Sequence, residues 1–327
     1  MDAYDAHTKS RFLLKANLVL ITGDTPAVSK MLHLSGHNAK RPCRACHLEG
    51  TPYRNPAGRV TYYYPLQQPN EFPDYITADT RTFHARKRSY ATPDALPLRS
   101  KEDYRRDGEA SALDSRLATS TGVKGISPFA RLPTISIPVS SPFDVMHLIF
   151  LGLVGDLCHL FNGTYFKAGK VNEDTGLLSK AQWITLGEEM ARIDAPESYG
   201  RPPRDIQFYS GQFKAEDWSN FIMHYLLPLF YGLVNDATYQ ALQRLVLAVS
   251  VATSYEISDN EIDELDLNLR LFSKWFYDTF YGRKYERLPA CKYTIHCLCH
   301  LAGDIRNWGS ASYFWQFSQV FPPFIFV

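Results

Sequence analysis

Two pairs of metal-binding side chains, placed far apart in the chain, constrain the fold of this sequence more than any other feature. Cys43 and Cys46 form a Cys-x-x-Cys pair, and His296 and His300 lie four positions apart much later in the chain. A turn lets both thiolates of such a pair face one ion, and histidines at i and i+4 share one face of a helix. Together the pairs predict a Cys₂His₂ zinc site that joins distant parts of the chain.

Other ligands and simpler explanations stay open at the level of sequence. His47 adjoins the cysteine pair and is the main rival ligand. Cys297 and Cys299 are further rivals, although side chains two positions apart point away from each other on a helix. Alternatively, the cysteines are incidental to a loop, and the histidines are unrelated core or surface residues of a helix.

Composition excludes several classes of protein. With 327 residues, of which 45% are hydrophobic and 14% aromatic, the chain has enough apolar surface to bury a large core, which argues against disorder. The formal net charge of +1 neither favours nor excludes DNA binding. Six cysteines without a secretory leader do not make a disulfide framework, so we expect a soluble intracellular protein.

Two apolar stretches resemble membrane spans only superficially. The stretch at 148–160 is short and contains Asp156, and the stretch at 218–234 contains His224 and Pro228. A membrane span needs about 20 predominantly apolar residues. Both stretches therefore predict buried helices, and no membrane partner is expected.

Asp24 lies at a predicted junction between a strand and a helix. The apolar run at 18–21, which ends residues 12–21, predicts a buried strand. Thr25 is then expected to cap a short helix whose first residue is Pro26. Ligands of α/β sheets often bind at such a place, so the Asp24 carboxylate is a candidate ligand for a divalent cation. The alternative is that Asp24 is a turn or capping residue.

The next ninety or so residues, 51–141, read as a loop-rich region. Proline, glycine and polar residues dominate, although Tyr62-Tyr63-Tyr64 favours one strand. The block from Arg81 to Arg106 holds eight Lys or Arg residues against three Asp or Glu. It is predicted either to contact DNA phosphates or to form a solvated basic loop.

From residue 142 onward the pattern is mostly helical. Apolar residues at helical spacing predict helices at 143–161, 180–193, 215–234, 237–255, 257–281 and 293–308. Near the start of the first, Asp144 and His147 are three positions apart and face the same way. They are predicted to hydrogen-bond each other, touch the metal site or position DNA; alternatively, they are a helix-start carboxylate and a buried histidine.

These motifs, in this order, resemble the catalytic region of CACTA-type (En/Spm-like) DNA transposases, in particular the fungal branch. The segments that carry the resemblance are Thr22 to Ala27, Gly36-His37-Asn38, Cys43 to Cys46, Phe143 to His147, Gly200 to Arg204, and His296 to Gly309. The resemblance implies an α/β fold with an RNase H-like (DDE) sheet and a large, mostly α-helical insertion. It divides the chain into a partial RNase H-like core (1–50), a basic insertion (51–141), a helical insertion ending in the histidine pair (142–310), and an aberrant tail (311–327).

The resemblance also implies roles for particular residues. Asp24 matches the second catalytic aspartate, a ligand for Mg²⁺ or Mn²⁺, and Asp144 with His147 matches an Asp/Cys-x-x-His motif of cut-and-paste transposases. The cysteine and histidine pairs match a structural zinc site. DNA, as transposon ends, is the implied partner, with a homo-oligomer and a nuclear location as further expectations.

Two departures from the family pattern bear on activity. The first catalytic aspartate is expected on an earlier strand, where Asp2 and Asp5 are poorly placed, and Val320 stands where the last glutamate is expected. The chain therefore looks truncated at both ends. The sequence predicts a transposase-derived protein that is incomplete as a catalyst, or alternatively a non-enzymatic zinc-stabilised module that binds DNA or protein. A third alternative, a metal hydrolase using the histidine pair, is weakened because no glutamate lies between those histidines.

Overall fold

Helices make up most of the described structure, and strands contribute little. The computed structural model describes residues 2–54, 58–74, 89–166 and 177–317. Within these ranges the protein is mixed α/β, with eleven α-helices and two small antiparallel sheets of two strands each. The α/β class is thus confirmed at this coarse level. The C-terminal residues 318–327, including Val320, lie outside the described residues, as do residues 81–88 of the basic block.

Both sheets are hairpins. β1 (Asp2–Asp5) pairs with β2 (Ser10–Leu13), so that Asp2 lies opposite Leu13. β3 (Thr51–Arg54) pairs with β4 (Val60–Tyr63). The strand expected at the tyrosine run is therefore present as β4, since β-branched and aromatic side chains favour an extended backbone.

The buried strand predicted at residues 18–21 is wrong. In the described ranges this run belongs to no strand and joins neither of the two sheets. Leu18 and Val19 are 41% and 49% exposed, and only Ile21 is buried. Ile21 donates its N–H to the carbonyl of Ser140 at 2.9 Å, so the run rests on a loop instead of between two strands. An apolar run becomes a buried strand only where neighbouring strands cover both of its edges.

The helices follow in chain order. They are α1 (Thr25–Met31), α2 (Lys101–Leu113), α3 (Leu117–Thr121), α4 (Gly155–Phe161), α5 (Lys180–Ala191), α6 (Ile206–Tyr209), α7 (Ala215–Asn220), α8 (Leu226–Phe230), α9 (Asp236–Thr253), α10 (Asp259–Phe276) and α11 (Tyr293–Trp308). Three π-helical segments extend them, at Met146–Val154 before α4, Phe221–Tyr225 between α7 and α8, and Tyr277–Tyr281 after α10. Short 3₁₀ turns occur at Pro93–Ala95, Pro128–Arg131, Glu197–Tyr199, Ser210–Gln212, Tyr285–Ala290 and Ala311–Tyr313.

The helices predicted from residue 142 onward are confirmed, and α11 begins and ends where the sequence pattern does. The expected break at Pro228 takes the form of a π-helical segment followed by α8. Pro228 has no N–H to donate to the carbonyl of His224, so the regular hydrogen-bond ladder cannot continue through it. None of the described helices is long and apolar enough to cross a membrane.

The region 51–141 is less loop-like than its composition predicts. α2 begins at a capping box, in which the Ser100 hydroxyl accepts the N–H of Asp103 and the Asp103 carboxylate accepts that of Ser100. This reciprocal pair satisfies two backbone donors of the first helical turn. The Ser100–Asp103 capping box was the sequence signal for this helix. It was missed because α2 is mostly polar and lacks a clear apolar spacing.

Two of the three buried clusters of the described residues position the site. The larger contains the helices from residue 146 onward, with α10 packed against both α9 and α11, and also includes Cys43, Cys46 and Leu48. The smaller joins Val28 and Leu32 of α1 to residues of α2 and the loops that follow it. The loop at 43–46 thus belongs to the core of the helical region, although α1, which precedes it, packs in the other cluster.

Candidate metal centre and adjoining cleft

The two cysteines and two histidines predicted to bind zinc meet in one buried cluster. One ligand atom from each of Cys43, Cys46, His296 and His300 lies within 4.8 Å of the others. The Nε2 atom of His296 is 3.4 Å from the Cys46 Sγ and 3.3 Å from the His300 Nε2. Ligands of a tetrahedral zinc ion, bound at about 2.0–2.3 Å, lie about 3.3–3.6 Å apart. The cluster can therefore bind a metal ion such as zinc.

Arg44, between the two cysteines, anchors their loop to the helical region. It is only 3% exposed, and its Nε and Nη2 atoms each donate a hydrogen bond of 2.6 Å, to the carbonyls of Ser141 and Pro142. Its guanidinium carbon lies 3.8 Å from the centre of the Phe143 ring, which in turn stacks on His300 at 6.0 Å. A planar, delocalised cation suits such a stacked and doubly hydrogen-bonded position. Arg44 therefore links the cysteine loop to the ring of a histidine ligand.

The two thiols differ in their affinity for a proton. Burial raises the pKa of Cys46 well above its ordinary value, and hydrogen bonding and charge from Cys43 raise it further. Burial also acts to raise the pKa of Cys43, but the hydrogen bond with Cys46 and the charges of His300 and His296 bring it well below its ordinary value. Cys43 is thus the thiol that ionises more readily. Metal binding needs both residues as thiolates and therefore competes with protonation of Cys46.

The rival ligands lie outside the cluster. His47 Nε2 is 3.3 Å from the Asp103 Oδ2, and burial lowers its pKa, with the nearby Arg99 acting in the same direction. Cys299 Sγ is 3.8 Å from the other ring nitrogen of His296, Nδ1, on the far side from the cluster. Cys297 is fully buried, and burial raises its pKa well above the ordinary value. The structure thus favours the histidine pair as the partner of the cysteines.

Asp24 acts as a helix cap at the edge of a separate cleft. It is the N-cap of α1, and its Oδ1 accepts the N–H of Ala27 at 2.6 Å. The prediction of Thr25 as the N-cap is wrong by one residue. Aspartate is preferred over threonine at an N-cap, and here the Asp24 carboxylate takes that position. The cleft has a volume of about 560 Å³ and is lined by residues that include Asp24, His37, His147 and Lys292.

Asp144 and His147 form a hydrogen-bonded pair beside this cleft. The Nδ1 of His147 lies against the Oδ2 of Asp144, whose side chain is almost fully buried. The hydrogen bond to Asp144 raises the pKa of His147, and the charge of Asp24 acts in the same direction. Since Nδ1 is engaged, the Nε2 of the partly exposed ring is the atom available to a ligand in the cleft. The prediction that the two residues face and bond each other is thus confirmed.

A residue from the far end of the chain completes this arrangement. Gln316 donates its backbone N–H to the Asp144 Oδ1 at 2.9 Å and its side-chain N–H to the Thr22 Oγ1 at 3.0 Å. The sequence analysis gave Gln316 no role. Its amide has no sequence signature of its own, because both contacts depend on the tertiary fold.

The residues around Asp24 do not form a two-metal centre. In the described ranges, the cysteine–histidine cluster is the one group of three or more His, Cys, Asp or Glu ligand atoms lying within 4.8 Å of one another. Asp24 belongs to no such group, and one of its oxygens already accepts the N–H of Ala27. Mg²⁺ and Mn²⁺ centres of phosphoryl transfer need several carboxylate oxygens that bridge two ions. These residues therefore do not fit the catalytic metals of the family.

Two of the cations in the described part of the basic block, Arg99 and Arg106, have internal partners. Arg99 is buried and bonds the Asp107 carboxylate at 3.2 Å and the Thr121 carbonyl at 2.9 Å. Arg106 pairs with both Asp103 and Asp107. Both cations are paired with groups of the protein itself, which does not favour the predicted contacts with DNA phosphates at these two residues.

Comparison with known proteins adds no assignment. No model of a known protein family matches the chain, and no curated protein matches it either.

Proposed function

We propose that this protein is derived from a CACTA-type transposase and binds DNA in the cleft beside Asp24, with a zinc ion stabilising the cleft. The observation that carries the proposal is that Asp24, His147 and Lys292, from three distant segments, line one cleft. Lys292 is the N-cap of α11, the helix that also carries both histidines of the metal cluster. Zinc at the cluster would therefore fix α11 relative to the cleft.

The cleft presents groups that attract phosphate. Lys292 lies at the start of α11, whose positive dipole end opens on the same space. Its ammonium also bonds the Asp156 carboxylate at 2.7 Å, so a phosphate bound there would share the ammonium with Asp156. His147 is cationic over a wider pH range than an ordinary histidine, since Asp144 raises its pKa. Phosphate contacts of this kind position a protein on DNA without reading its sequence.

The same proposal holds that the described residues do not cut DNA. Phosphodiester cleavage by this family requires metal ions held by several carboxylates, and Asp24 stands outside any such group in the described ranges. An RNase H-like origin of the N-terminal region remains part of the proposal, resting on the resemblance of the sequence motifs. Under this proposal, the protein has kept the DNA-binding role of a transposase without its cleavage activity.

The test combines binding and cleavage on the same DNA. A labelled duplex is titrated with zinc-loaded protein at low and high salt, and then incubated with Mg²⁺ or Mn²⁺. We expect binding that weakens steeply with salt, roughly tenfold weaker in Lys292→Met, and no nicking. Absence of binding at low salt would exclude the DNA-binding role. Nicking that disappears in Asp24→Ala would show that the active site is complete, and the non-cleaving part of the proposal would be abandoned.

The alternative, a zinc-stabilised module that binds a protein, is favoured by one surface. The β1–β2 hairpin and the run after it expose large apolar side chains, among them Tyr4 at 62% and Leu13 at 64%. Exposed apolar surface of this kind is typical of protein contacts. Leu13→Asp should leave DNA binding intact under the main proposal. It should abolish the interaction with any protein partner under the alternative.

A further inference from the structure

A second cavity opens beside the cleft and shares part of its wall. This cavity has a volume of about 440 Å³, and Thr61, Tyr63 and Lys292 line both spaces. The two cavities are thus neighbours, one beside Asp24 and His147 and the other beside the β3–β4 hairpin and α4, and we refer to them together as the groove. The volume of the second part lies in the range of natural small-ligand sites.

Aromatic rings form much of the wall of the second cavity. Tyr53 and Tyr63 project from the two strands of the hairpin, with ring centres 5.7 Å apart in an edge-to-face arrangement. Tyr165 and Phe166 line the opposite end, with ring centres 5.1 Å apart. The Tyr165 hydroxyl donates to the carbonyl of Pro289 at 2.8 Å, which fixes its ring. All four rings are partly buried, and the Tyr53 ring is stacked on Tyr285, with ring centres 5.3 Å apart. A ligand in the cavity can contact the parts of the rings that line it.

The lysine of this cavity has a carboxylate partner. Lys292 bonds the Asp156 carboxylate at 2.7 Å, and its ammonium lies 5.1 Å from the centre of the Tyr165 ring. Glu286 is a further acidic residue of the wall. A cavity of this character suits a flat, uncharged group with polar edges better than it suits a phosphate backbone. Thr61, Thr164 and the Asp156–Lys292 pair offer hydrogen bonds to those edges.

We propose that this aromatic cavity holds an unpaired nucleobase of the DNA strand whose backbone occupies the Asp24 cleft. The inference rests on the proposed function, which it deepens by naming the state of the DNA. Bases stack on aromatic side chains with little dependence on sequence. A base that is already unpaired enters such a cavity without the cost of unstacking a duplex. The protein is therefore expected to prefer DNA ends with an unpaired extension over blunt duplex.

The experiment uses two versions of one short duplex, blunt and with a short unpaired extension that carries 2-aminopurine. The affinity of zinc-loaded protein for each is measured, together with the fluorescence of 2-aminopurine, which falls when the base stacks on a ring. We expect about tenfold tighter binding of the extended duplex, since stacking on aromatic side chains contributes this much per base. We also expect the fluorescence to fall on binding.

Four variants separate stacking from general damage. Phe166→Ala removes a ring that lines this cavity and not the Asp24 cleft. Thr164→Trp fills the cavity from an exposed position and should not disturb the core. Both should lose the preference for the extended duplex and keep the blunt-duplex affinity. Phe166→Tyr keeps the ring and should retain the preference. Tyr231→Ala removes a tyrosine that is 76% exposed and outside the groove, and it should behave as wild type.

The outcomes distinguish this inference from the proposed function. Equal affinity for blunt and extended duplex in the wild type would overturn the base cavity and leave DNA binding standing. A preference and a fluorescence change that persist in folded Phe166→Ala and Thr164→Trp would also overturn it. If neither duplex binds, the proposed function fails, and this inference fails with it.

Discussion

Cys46 and His296 are separated by 250 positions in the sequence, yet the Sγ of one lies 3.4 Å from the Nε2 of the other. Few contacts in the chain close so long a loop. Closing a loop of this length costs conformational entropy, but this cost grows only slowly with loop length. The free energy of binding a metal ion easily offsets it. A metal ion in this cluster would therefore link the loop at 43–46 to α11.

Loss of one histidine should release the metal. We expect His296→Ala to lose bound zinc and to unfold at a lower temperature, because three remaining ligands bind zinc more weakly than four. His47→Ala is the matched control, since His47 pairs with Asp103 outside the cluster. Zinc content is measured by elemental analysis after desalting, and stability by thermal unfolding with and without chelator. Loss of zinc in His47→Ala but not in His296→Ala would show that the rival ligand is the true one.

The Asp144–His147 pair should make stability depend on pH. Asp144 raises the pKa of His147 in the folded protein above its ordinary value. The stabilisation of the folded state by this pair is therefore fully present below the unfolded pKa of 6.5. It is lost as pH rises through the folded value. We therefore expect Asp144→Asn to lower the melting temperature more at mildly acidic than at alkaline pH. An NMR titration in which His147 shows an ordinary or lowered pKa would contradict the pairing.

Close approach of two helices should make Gly152 intolerant of a side chain. A Cβ atom at Gly152 would lie 2.6 Å from the Thr294 Cγ2 and 2.9 Å from the backbone oxygen of His147. We expect Gly152→Ala to destabilise the protein by about 1–3 kcal/mol, the usual cost of overpacking. Gly303→Ala on α11 is the control, because an added Cβ there meets nothing within 4 Å.

The control variant, Gly303→Ala, should change the stability of the protein in the opposite direction. Alanine is favoured over glycine inside a helix by about 1 kcal/mol, so Gly303→Ala is expected to raise stability. Urea unfolding of both variants provides the comparison. Equal effects of the two substitutions would mean that the helix crossing at Gly152 is looser than the structure describes.

Replacement of Arg44 by lysine should loosen the metal centre without removing charge. Lysine cannot make both hydrogen bonds to the Ser141 and Pro142 carbonyls while it stacks on Phe143. We expect a loss of about 1–3 kcal/mol, typical of a lost charged hydrogen bond in the interior, and faster removal of zinc by a chromogenic chelator. Arg41→Lys serves as control, since Arg41 is more exposed and pairs with Glu49. Unchanged chelation rates in Arg44→Lys would show that the loop is held by other contacts.

The sequence predicted the local features of this structure far better than the tertiary ones. The ends of α11 follow from its apolar spacing, and the meeting of Cys43 with His300 follows from metal-ligand chemistry. The same apolar signal at residues 18–21 predicted a buried strand wrongly, because burial there depends on neighbours that a local pattern cannot report. α2 was missed because its helical signal lies in the Ser100–Asp103 cap and not in apolar spacing. The contacts of Gln316 depend on the fold alone.

The separation of the two halves of the metal centre has a consequence during synthesis. A ribosome that adds roughly 5–20 residues per second delivers His296 about 10–50 s after Cys46, given the 250 positions between them. Throughout that interval both cysteines emerge without their histidine partners and are open to oxidation or to the wrong metal. If zinc fills the cluster as proposed, both thiols must stay reduced until His296 emerges, so we expect zinc scarcity to show first as a failure of newly made protein.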